Sequence, residues 1–81
     1  MSNEDYIGEY DIVEYIALGF LTHNDSYDKL IRPGDGHLRF DGSDIYFIDN
    51  NSNEKQSHTM NHAIKVWLEK GFLTRRKEVQ P

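Results

Sequence analysis

The sequence predicts a small α+β domain in the order helix, short helical turn, β-hairpin, helix, with both main helices packed on one face of the hairpin. Three observations predict it. Residues 37–49 contain two alternating apolar runs around an Asp-Gly turn. Apolar residues recur at helical spacing in residues 12–18 and 57–70, and a glycine follows each of these two segments.

The hairpin over residues 37–49 is the most strongly marked element. A glycine flanked by acidic residues tolerates the positive φ that a tight turn requires. A loop at 41–42 pairs Leu38 with Ile45, whereas a loop at 42–43 pairs Phe40 with Ile45. The two registers differ by an even step, so both place the same side chains on each face. One face consists of Leu38, Phe40, Ile45 and Phe47, and the other of His37, Arg39, Tyr46 and Ile48.

The first helix is predicted over residues 12–18. Asp11 and Glu14 have the spacing of a capping box, in which the side chains accept hydrogen bonds from free backbone N–H groups. Gly19 then ends the helix, because glycine takes the left-handed conformation at low cost. The apolar stripe at helical spacing consists of Ile12, Tyr15 and Ile16.

Between the first helix and the hairpin we expect a short helical turn over residues 26–31, followed by a type II turn. Pro33 presets φ at one central position of that turn, and Gly34 supplies the positive φ at the next. Residues 49–57, after the hairpin, are predicted to form a polar loop.

The second helix is predicted to begin between residues 54 and 57 and to end at Lys70. Gly71 ends it, and Phe72 is predicted to fold back onto Trp67. The apolar stripe of this helix consists of Met60, Ala63, Ile64, Trp67 and Leu68.

The segment Gly-Phe-Leu-Thr occurs twice, at 19–22 and at 71–74. We interpret it as one helix-ending solution used twice, and either copy is suited to form a third short strand. The chain is then one compact domain over residues 1–74, followed by a basic tail over residues 75–81.

Composition limits the class of protein. A chain of 81 residues forms one domain with a modest core. The absence of cysteine excludes disulfides and thiolate metal sites and favours a reducing compartment. No apolar run approaches the ~18 residues that a membrane helix needs, and the acidic N-terminal segment is not typical of a secretory signal. We therefore expect a cytoplasmic protein without membrane association.

The net charge of −5 is unevenly distributed. Residues 1–54 carry twelve acidic and three basic side chains, whereas residues 55–81 carry two acidic and six basic ones. An acidic body repels nucleic acid, whose affinity for proteins comes mainly from contacts between phosphates and Lys or Arg. It favours a protein partner with a basic surface.

No motif predicts an enzyme, a metal site or a cofactor. His58 and His62 are spaced i, i+4, but the Glu that normally follows the first His of a zinc-binding helix is replaced by Thr59. Asp49, Asn51 and Asn53 match three positions of a calcium loop, but Glu54 occupies the position that requires glycine. No nucleophile is spaced to pair with a base.

The best candidate binding residues lie near the N-terminus. Tyrosine is enriched at protein interfaces, because its ring is buried while its hydroxyl keeps a hydrogen bond. Tyrosines among acidic side chains are suited to a basic partner surface. The predicted protein-binding residues are Tyr6, Tyr10, Asp11 and Glu14.

In size, acidity, tyrosine content and lack of cysteine, the chain is similar in character to phage accessory proteins that disable host machinery, including anti-CRISPR proteins. This resemblance implies a non-enzymatic inhibitor that binds stoichiometrically to a nucleic-acid-handling host protein. Some proteins of this class imitate the charge of DNA. The resemblance also implies that the protein acts in the host cytoplasm.

A different hypothesis follows from the predicted order of elements, which is similar in outline to phage excisionases, a group of small winged-helix DNA-binding regulators. The recognition helix would be residues 26–31, which hold only one basic residue. The basic residues that would contact nucleic acid are Arg32, Arg39, Arg75, Arg76 and Lys77. A third hypothesis is a homo-oligomer in which the acidic body docks on the basic tail.

Overall fold

A computed structural model of the protein describes residues 3–76. This part of the chain begins with a 3₁₀ turn, Asn3–Tyr6, and otherwise consists of seven strands and one helix. In chain order these elements are β1 (Gly8–Ile12), β2 (Ile16–Leu21), β3 (Ser26–Ile31), β4 (Gly36–Phe40), β5 (Ile45–Asp49), β6 (Glu54–Ser57), α1 (Ala63–Glu69) and β7 (Leu73–Arg75). The protein is mainly β, so the prediction of two main helices packed on a hairpin is wrong.

Five of the strands form an antiparallel sheet in the order β6-β5-β4-β1-β7. Strands β2 and β3 form a separate antiparallel hairpin. The buried side chains of both sheets and of α1 belong to one core. Its members are Tyr10, Ile12, Ile16, Leu18, Phe20, Ile31, Leu38, Phe40, Ile45, Phe47, Ile64 and Leu73.

The predicted central hairpin is confirmed as β4 and β5. Phe40 pairs with Ile45 and Leu38 pairs with Phe47, which is the second of the two predicted registers. All four of these side chains are buried, as the alternating pattern predicted. Asp41 Oδ1 accepts hydrogen bonds from two backbone N–H groups of the turn, and this fixes the loop between the strands.

The predicted first helix is wrong, because residues 12–18 end β1 and begin β2. Ile16, Leu18 and Phe20 are buried and follow the period of two that a strand requires. Tyr15, assigned to the apolar stripe of the helix, is 60% exposed. Asp11 lies in β1, so the predicted capping box does not form.

The predicted helical turn at residues 26–31 is also wrong, since the whole segment is strand β3. It pairs residue by residue with β2, from Ile16 opposite Ile31 to Leu21 opposite Ser26. The ring of Tyr27 lies against that of Phe20, with 5.7 Å between their centroids. The segment becomes a strand because it pairs with β2, and its own sequence does not indicate that partner.

The predicted second helix is confirmed only in its C-terminal half. Residues 54–57 form β6 instead of a loop or a helix, and α1 covers Ala63–Glu69. Gly71 has φ of +79°, and its N–H donates to the Leu68 carbonyl (3.1 Å), while the N–H of Phe72 donates to the Trp67 carbonyl (2.8 Å). This is the Schellman arrangement of a helix C-terminus, as predicted. Among the described residues no helix has the length and apolar character needed to cross a membrane.

Gly19 joins the β2–β3 hairpin to the end of β6. Its carbonyl accepts hydrogen bonds from the hydroxyl of Ser57 (2.7 Å) and the N–H of His58 (2.9 Å). Its own N–H donates to Oγ1 of Thr59 (2.9 Å). A Cβ at Gly19 would lie 2.7 Å from Nε2 of His58, so this close approach favours glycine. Gly19 therefore serves inside a strand and not as a helix cap.

The type II turn before the central hairpin is confirmed. Gly34 has φ of +92°, and the N–H of Asp35 donates to the Arg32 carbonyl (3.0 Å). Gly36, two residues later, begins β4 against the backbone of β5. A Cβ on Gly36 would lie 2.2 Å from the carbonyl oxygen of Ile48, which a side-chain movement cannot relieve.

We expect Gly36→Ala to lower the free energy of unfolding by at least about 3 kcal/mol, because the two central strands must separate to admit the methyl group. Gly34→Ala is the matched control. It keeps the unfavourable φ but meets no atom within 4 Å, so we expect a loss of only about 1 kcal/mol. Urea unfolding monitored by tryptophan fluorescence measures both values. Equal losses for the two variants would contradict the close packing at Gly36.

Candidate functional site

The five-stranded sheet has one face on the core and one face directed away from it. Because side chains alternate along each strand, the neighbours of the buried residues share the second face. We call this surface the outer face. It consists of Glu9 and Asp11 on β1, His37 and Arg39 on β4, Tyr46 and Ile48 on β5, Glu54 and Gln56 on β6, and Thr74 on β7.

Arg39 and Tyr46 form the centre of the outer face. They are directly opposite each other on β4 and β5, and the guanidinium carbon lies 4.3 Å from the centroid of the ring. This distance is that of a cation–π contact. The guanidinium also donates a hydrogen bond to Glu54, which raises the pKa of Arg39 further. The contact with Tyr46 and the hydrogen bond to Glu54 together position the guanidinium of Arg39 over the ring.

Contacts between basic and acidic side chains surround this centre. Nε2 of His37 lies 2.8 Å from a carboxylate oxygen of Glu9, and Nε of Arg76 lies 3.4 Å from one of Asp11. With the Arg39–Glu54 pair, each carboxylate of the outer face has a basic neighbour. These are exposed or half-exposed pairs, which contribute little to stability. They connect side chains of β1, β4 and β6 with one another and with Arg76, which follows β7.

Several other acidic residues hold turns together. Asp41 accepts from the N–H groups of Ser43 (2.9 Å) and Asp44 (2.8 Å), and Asp49 accepts from those of Asn51 (2.8 Å) and Asn53 (3.0 Å). Donation from backbone N–H groups lowers the pKa of both aspartates. Part of the negative charge therefore has a structural role in the loops.

The carboxylates of the hairpin turn also act on the centre of the outer face. The pKa of Tyr46 is raised, first by partial desolvation and then by the charges of Asp41 and Asp44, although Arg39 opposes the shift. Asp41 and Asp44 therefore act electrostatically on the phenol group of Tyr46.

The four predicted protein-binding residues do not form one patch. Tyr10 is completely buried in the core, and its hydroxyl donates to the carbonyl of Tyr6. Tyr6 is partly buried against the same core. Asp11 lies on the outer face, and Glu14 is exposed between β1 and β2. The structure brings only Asp11 to the outer face, and the binding role of these residues stays a prediction.

The basic residues of the alternative hypothesis are dispersed. Arg39 and Arg76 are paired with carboxylates at the outer face, while Arg32 precedes the turn before β4. Arg75 lies over the ring of Tyr10 at 5.2 Å and donates to the carbonyl of Asp5. Lys77 lies outside the described residues. The described members therefore form no continuous basic stripe.

Sequence reasoning missed the outer face as a site, although it assigned four of its residues correctly. His37, Arg39, Tyr46 and Ile48 were predicted to share the second face of the hairpin, and they do. The contributions of β1 and β7 depend on pairing between distant segments, and β6 lies where a loop or the start of a helix was predicted. The sequence did contain one indication of this site, namely Arg39 and Tyr46 on the polar side of the predicted hairpin.

Within residues 3–76, no group of three or more His, Cys, Asp or Glu side chains is arranged to hold a metal ion. Family models, curated proteins and solved structures were also compared with the chain, and none gave a significant match. The outer face is thus identified by its geometry and charge.

The lowered pKa values of Asp41 and Asp49 predict a pH dependence of stability. Their ordinary pKa is 3.8, and it is lower in the folded protein. The stabilisation is therefore present above pH 3.8 and is lost as the pH falls through the folded values. We expect the free energy of unfolding to decrease from about pH 5 to about pH 2, and this slope to be shallower in the Asp41→Asn/Asp49→Asn variant.

Urea unfolding at a series of pH values measures this slope. Asp25→Asn is the control, because the Asp25 carboxylate accepts a backbone hydrogen bond from Ser26 alone in the described chain, whereas Asp41 and Asp49 each accept two. An unchanged slope in the double variant would contradict a stabilising role for the turn carboxylates.

Proposed function

We propose that the protein is a small non-enzymatic binding module that acts stoichiometrically by occupying a surface of a larger protein. The outer face is the contact surface in this proposal. The observation that carries it is the Arg39–Tyr46 pair at the centre of a sheet face whose side chains are exposed or only partly buried. Tyrosine and arginine are the residue types most often found at the energetic centre of protein interfaces.

The arrangement around the pair supports a binding role. Arg39 donates a hydrogen bond to Glu54 and lies over the ring of Tyr46 on the neighbouring strand. Both side chains are therefore already ordered and lose less conformational entropy when a partner binds. Ile48 adds apolar surface beside the pair, and ionic side chains lie at the edges. An apolar and aromatic centre with a polar rim is typical of a protein interface.

The partner's chemistry follows from the charge at the site. Asp41 and Asp44 of the hairpin turn act on Tyr46 electrostatically, and the whole chain carries a net charge of −5. We propose a partner with a basic surface, and binding that weakens as salt is added. Direct binding of nucleic acid is disfavoured by the same charges.

Within this class we favour an inhibitor from a phage or another mobile element that occupies a nucleic-acid-handling protein of the host, in the host cytoplasm. Composition supports this narrower proposal. A basic nucleic-acid channel is one kind of surface that would meet the requirements of the outer face.

The winged-helix hypothesis is not proposed further. It required a recognition helix at residues 26–31, and that segment is strand β3. It also required a helix at residues 12–18, which belong to β1, β2 and the link between them. The observed order of helices and strands is therefore not that of a winged helix.

We expect Tyr46→Ala and Arg39→Ala each to weaken partner binding by at least about 2 kcal/mol, roughly 30-fold, because each removes the centre of the interface. Tyr15→Ala and Arg32→Ala are matched controls, since both residues are exposed and lie off the outer face. Affinity capture from a lysate of the encoding organism or its host, followed by titration calorimetry with the captured protein, measures the effect. Circular dichroism confirms that each variant folds.

Loss of binding in the Tyr15 or Arg32 variant, with full binding in the Tyr46 and Arg39 variants, would contradict the assignment of the outer face. Binding that is unchanged between low and high salt would contradict the basic partner surface.

A further inference from the structure

Strand β3 is an open edge. It pairs with β2 over six residues without interruption, and no other described strand lies on its far side. All of its side chains except that of Ile31 are exposed. The other edges differ, because the Gly19 junction approaches the end of β6, and β7 is only three residues long.

The hairpin geometry shows which backbone groups of β3 point outward. The N–H of Thr22 donates to the Asp25 carbonyl (2.7 Å), which makes these two residues a hydrogen-bonded pair. In an antiparallel ladder such pairs alternate with non-hydrogen-bonded ones, so Ser26, Asp28 and Leu30 direct their N–H and C=O groups away from β2. Gly19, opposite Asp28, confirms this alternation, since its own groups are bonded to residues 57–59.

Natural edge strands are usually protected by proline, by a bulge, by charge or by a covering element. β3 contains no proline, and its regular register contains no bulge. The N–H of Ser26 is occupied, because it donates to Oδ1 of Asp25 (2.8 Å). β3 does carry the charges of Asp28 and Lys29, but no other described strand pairs with the outward backbone groups of Asp28 and Leu30.

We propose that β3 pairs antiparallel with β3 of a second copy of the chain, about a twofold axis at Leu30. Outward-facing backbone groups occur at every second residue of β3. The possible registers of the pair therefore differ by an even number of residues. An axis at Asp28 would place Asp28 opposite itself, and an axis at Lys29 would do the same for Lys29. An axis at Tyr27 would lose the N–H of Ser26, which is already bonded, and would place Leu30 opposite residue 24, outside the strand of the second copy.

The axis at Leu30 places no like charges opposite each other, and the N–H of Arg32, which donates to Oδ2 of Asp35 (2.9 Å), takes no part in the pairing. Asp28, Leu30 and Arg32 follow one another at every second position, so their side chains share one side of the strand. Each Asp28 then faces Arg32 of the second copy, and the two Leu30 side chains meet at the axis. Leu30 is 55% exposed in the single chain, and pairing would cover it.

The backbone supplies up to four hydrogen bonds. The N–H of each Leu30 donates to the Leu30 carbonyl of the other copy. The N–H of each Asp28 donates to the Arg32 carbonyl of the other copy, which already accepts from Asp35 and has a second lone pair. This is a small interface, so the dimer is weak and depends on concentration. It uses a different surface from the outer face and stands independently of the proposed function.

Sedimentation equilibrium from about 10 µM to about 1 mM tests the proposal, a range chosen because small interfaces give weak association. We expect the average mass to rise from 9.5 kDa towards twice that value. Asp28→Arg and Arg32→Asp should each shift the midpoint at least tenfold to higher concentration. The double variant Asp28→Arg/Arg32→Asp should restore it, because the charges are exchanged between the same two positions.

Leu30→Pro gives a second test. The N–H of Leu30 is not used in pairing with β2, and proline is tolerated at such a position of an edge strand. This variant should therefore fold, as shown by circular dichroism, and remain monomeric. A wild-type protein that is monomeric throughout overturns the proposal. So does a dimer that persists in Leu30→Pro, or charge-reversal variants whose combination fails to restore association.

Discussion

The architecture depends on one constraint: beside the five-stranded sheet, the described chain has only the β2–β3 hairpin, α1 and a 3₁₀ turn to cover its single core. Strands β1, β2, β4 and β5 send alternate side chains into that core, while β3, β7 and α1 add Ile31, Leu73 and Ile64. Because the hairpin and α1 share the core on one face of the sheet, no further described layer is left for the other face. The outer face is therefore a direct consequence of how few elements the chain has. Its Tyr-Arg centre is what distinguishes it from an ordinary polar sheet surface.

The central hairpin was predictable because its signals are local. Turn chemistry around Gly42 and strict alternation on both sides specified the buried face of β4 and β5. The repeated Gly-Phe-Leu-Thr segment shows the limit of local signals. Gly71 ends α1 with φ of +79°, whereas Gly19 lies within a strand against His58. The same four residues take different structures because their surroundings differ.

The errors at β2 and β3 have a physical cause. In residues 12–20, Ile12 and Ile16 satisfy a helical period, while Ile16, Leu18 and Phe20 satisfy the period of a strand. A window this short does not separate the two. Pairing with β3 selects the strand over the helix. The hydrogen bonds between Gly19 and residues 57–59 do the same, and those residues are far along the chain. The candidate site was hard to predict for the same reason, because β1 and β7 join the sheet only through pairing between distant segments.

Net charge was a correct observation, but it did not reveal where the charge acts. Asp41 and Asp49 hold turns, and Glu9, Asp11 and Glu54 pair with basic neighbours. The acidity thus contributes to local structure and also sets the potential at Tyr46. A binding surface of this kind is specified by the sheet register as much as by composition.

Solution NMR with a soluble paramagnetic probe tests the central claim most directly, because the probe broadens only the signals of groups that solvent reaches. The account predicts strong broadening of the Tyr46 ring and Ile48 methyl signals in the free protein, and little effect on the rings of Tyr10 and Phe40. Protected Tyr46 and Ile48 signals, together with broadened Tyr10 and Phe40 signals, would show that the sheet buries its other face and would contradict the account.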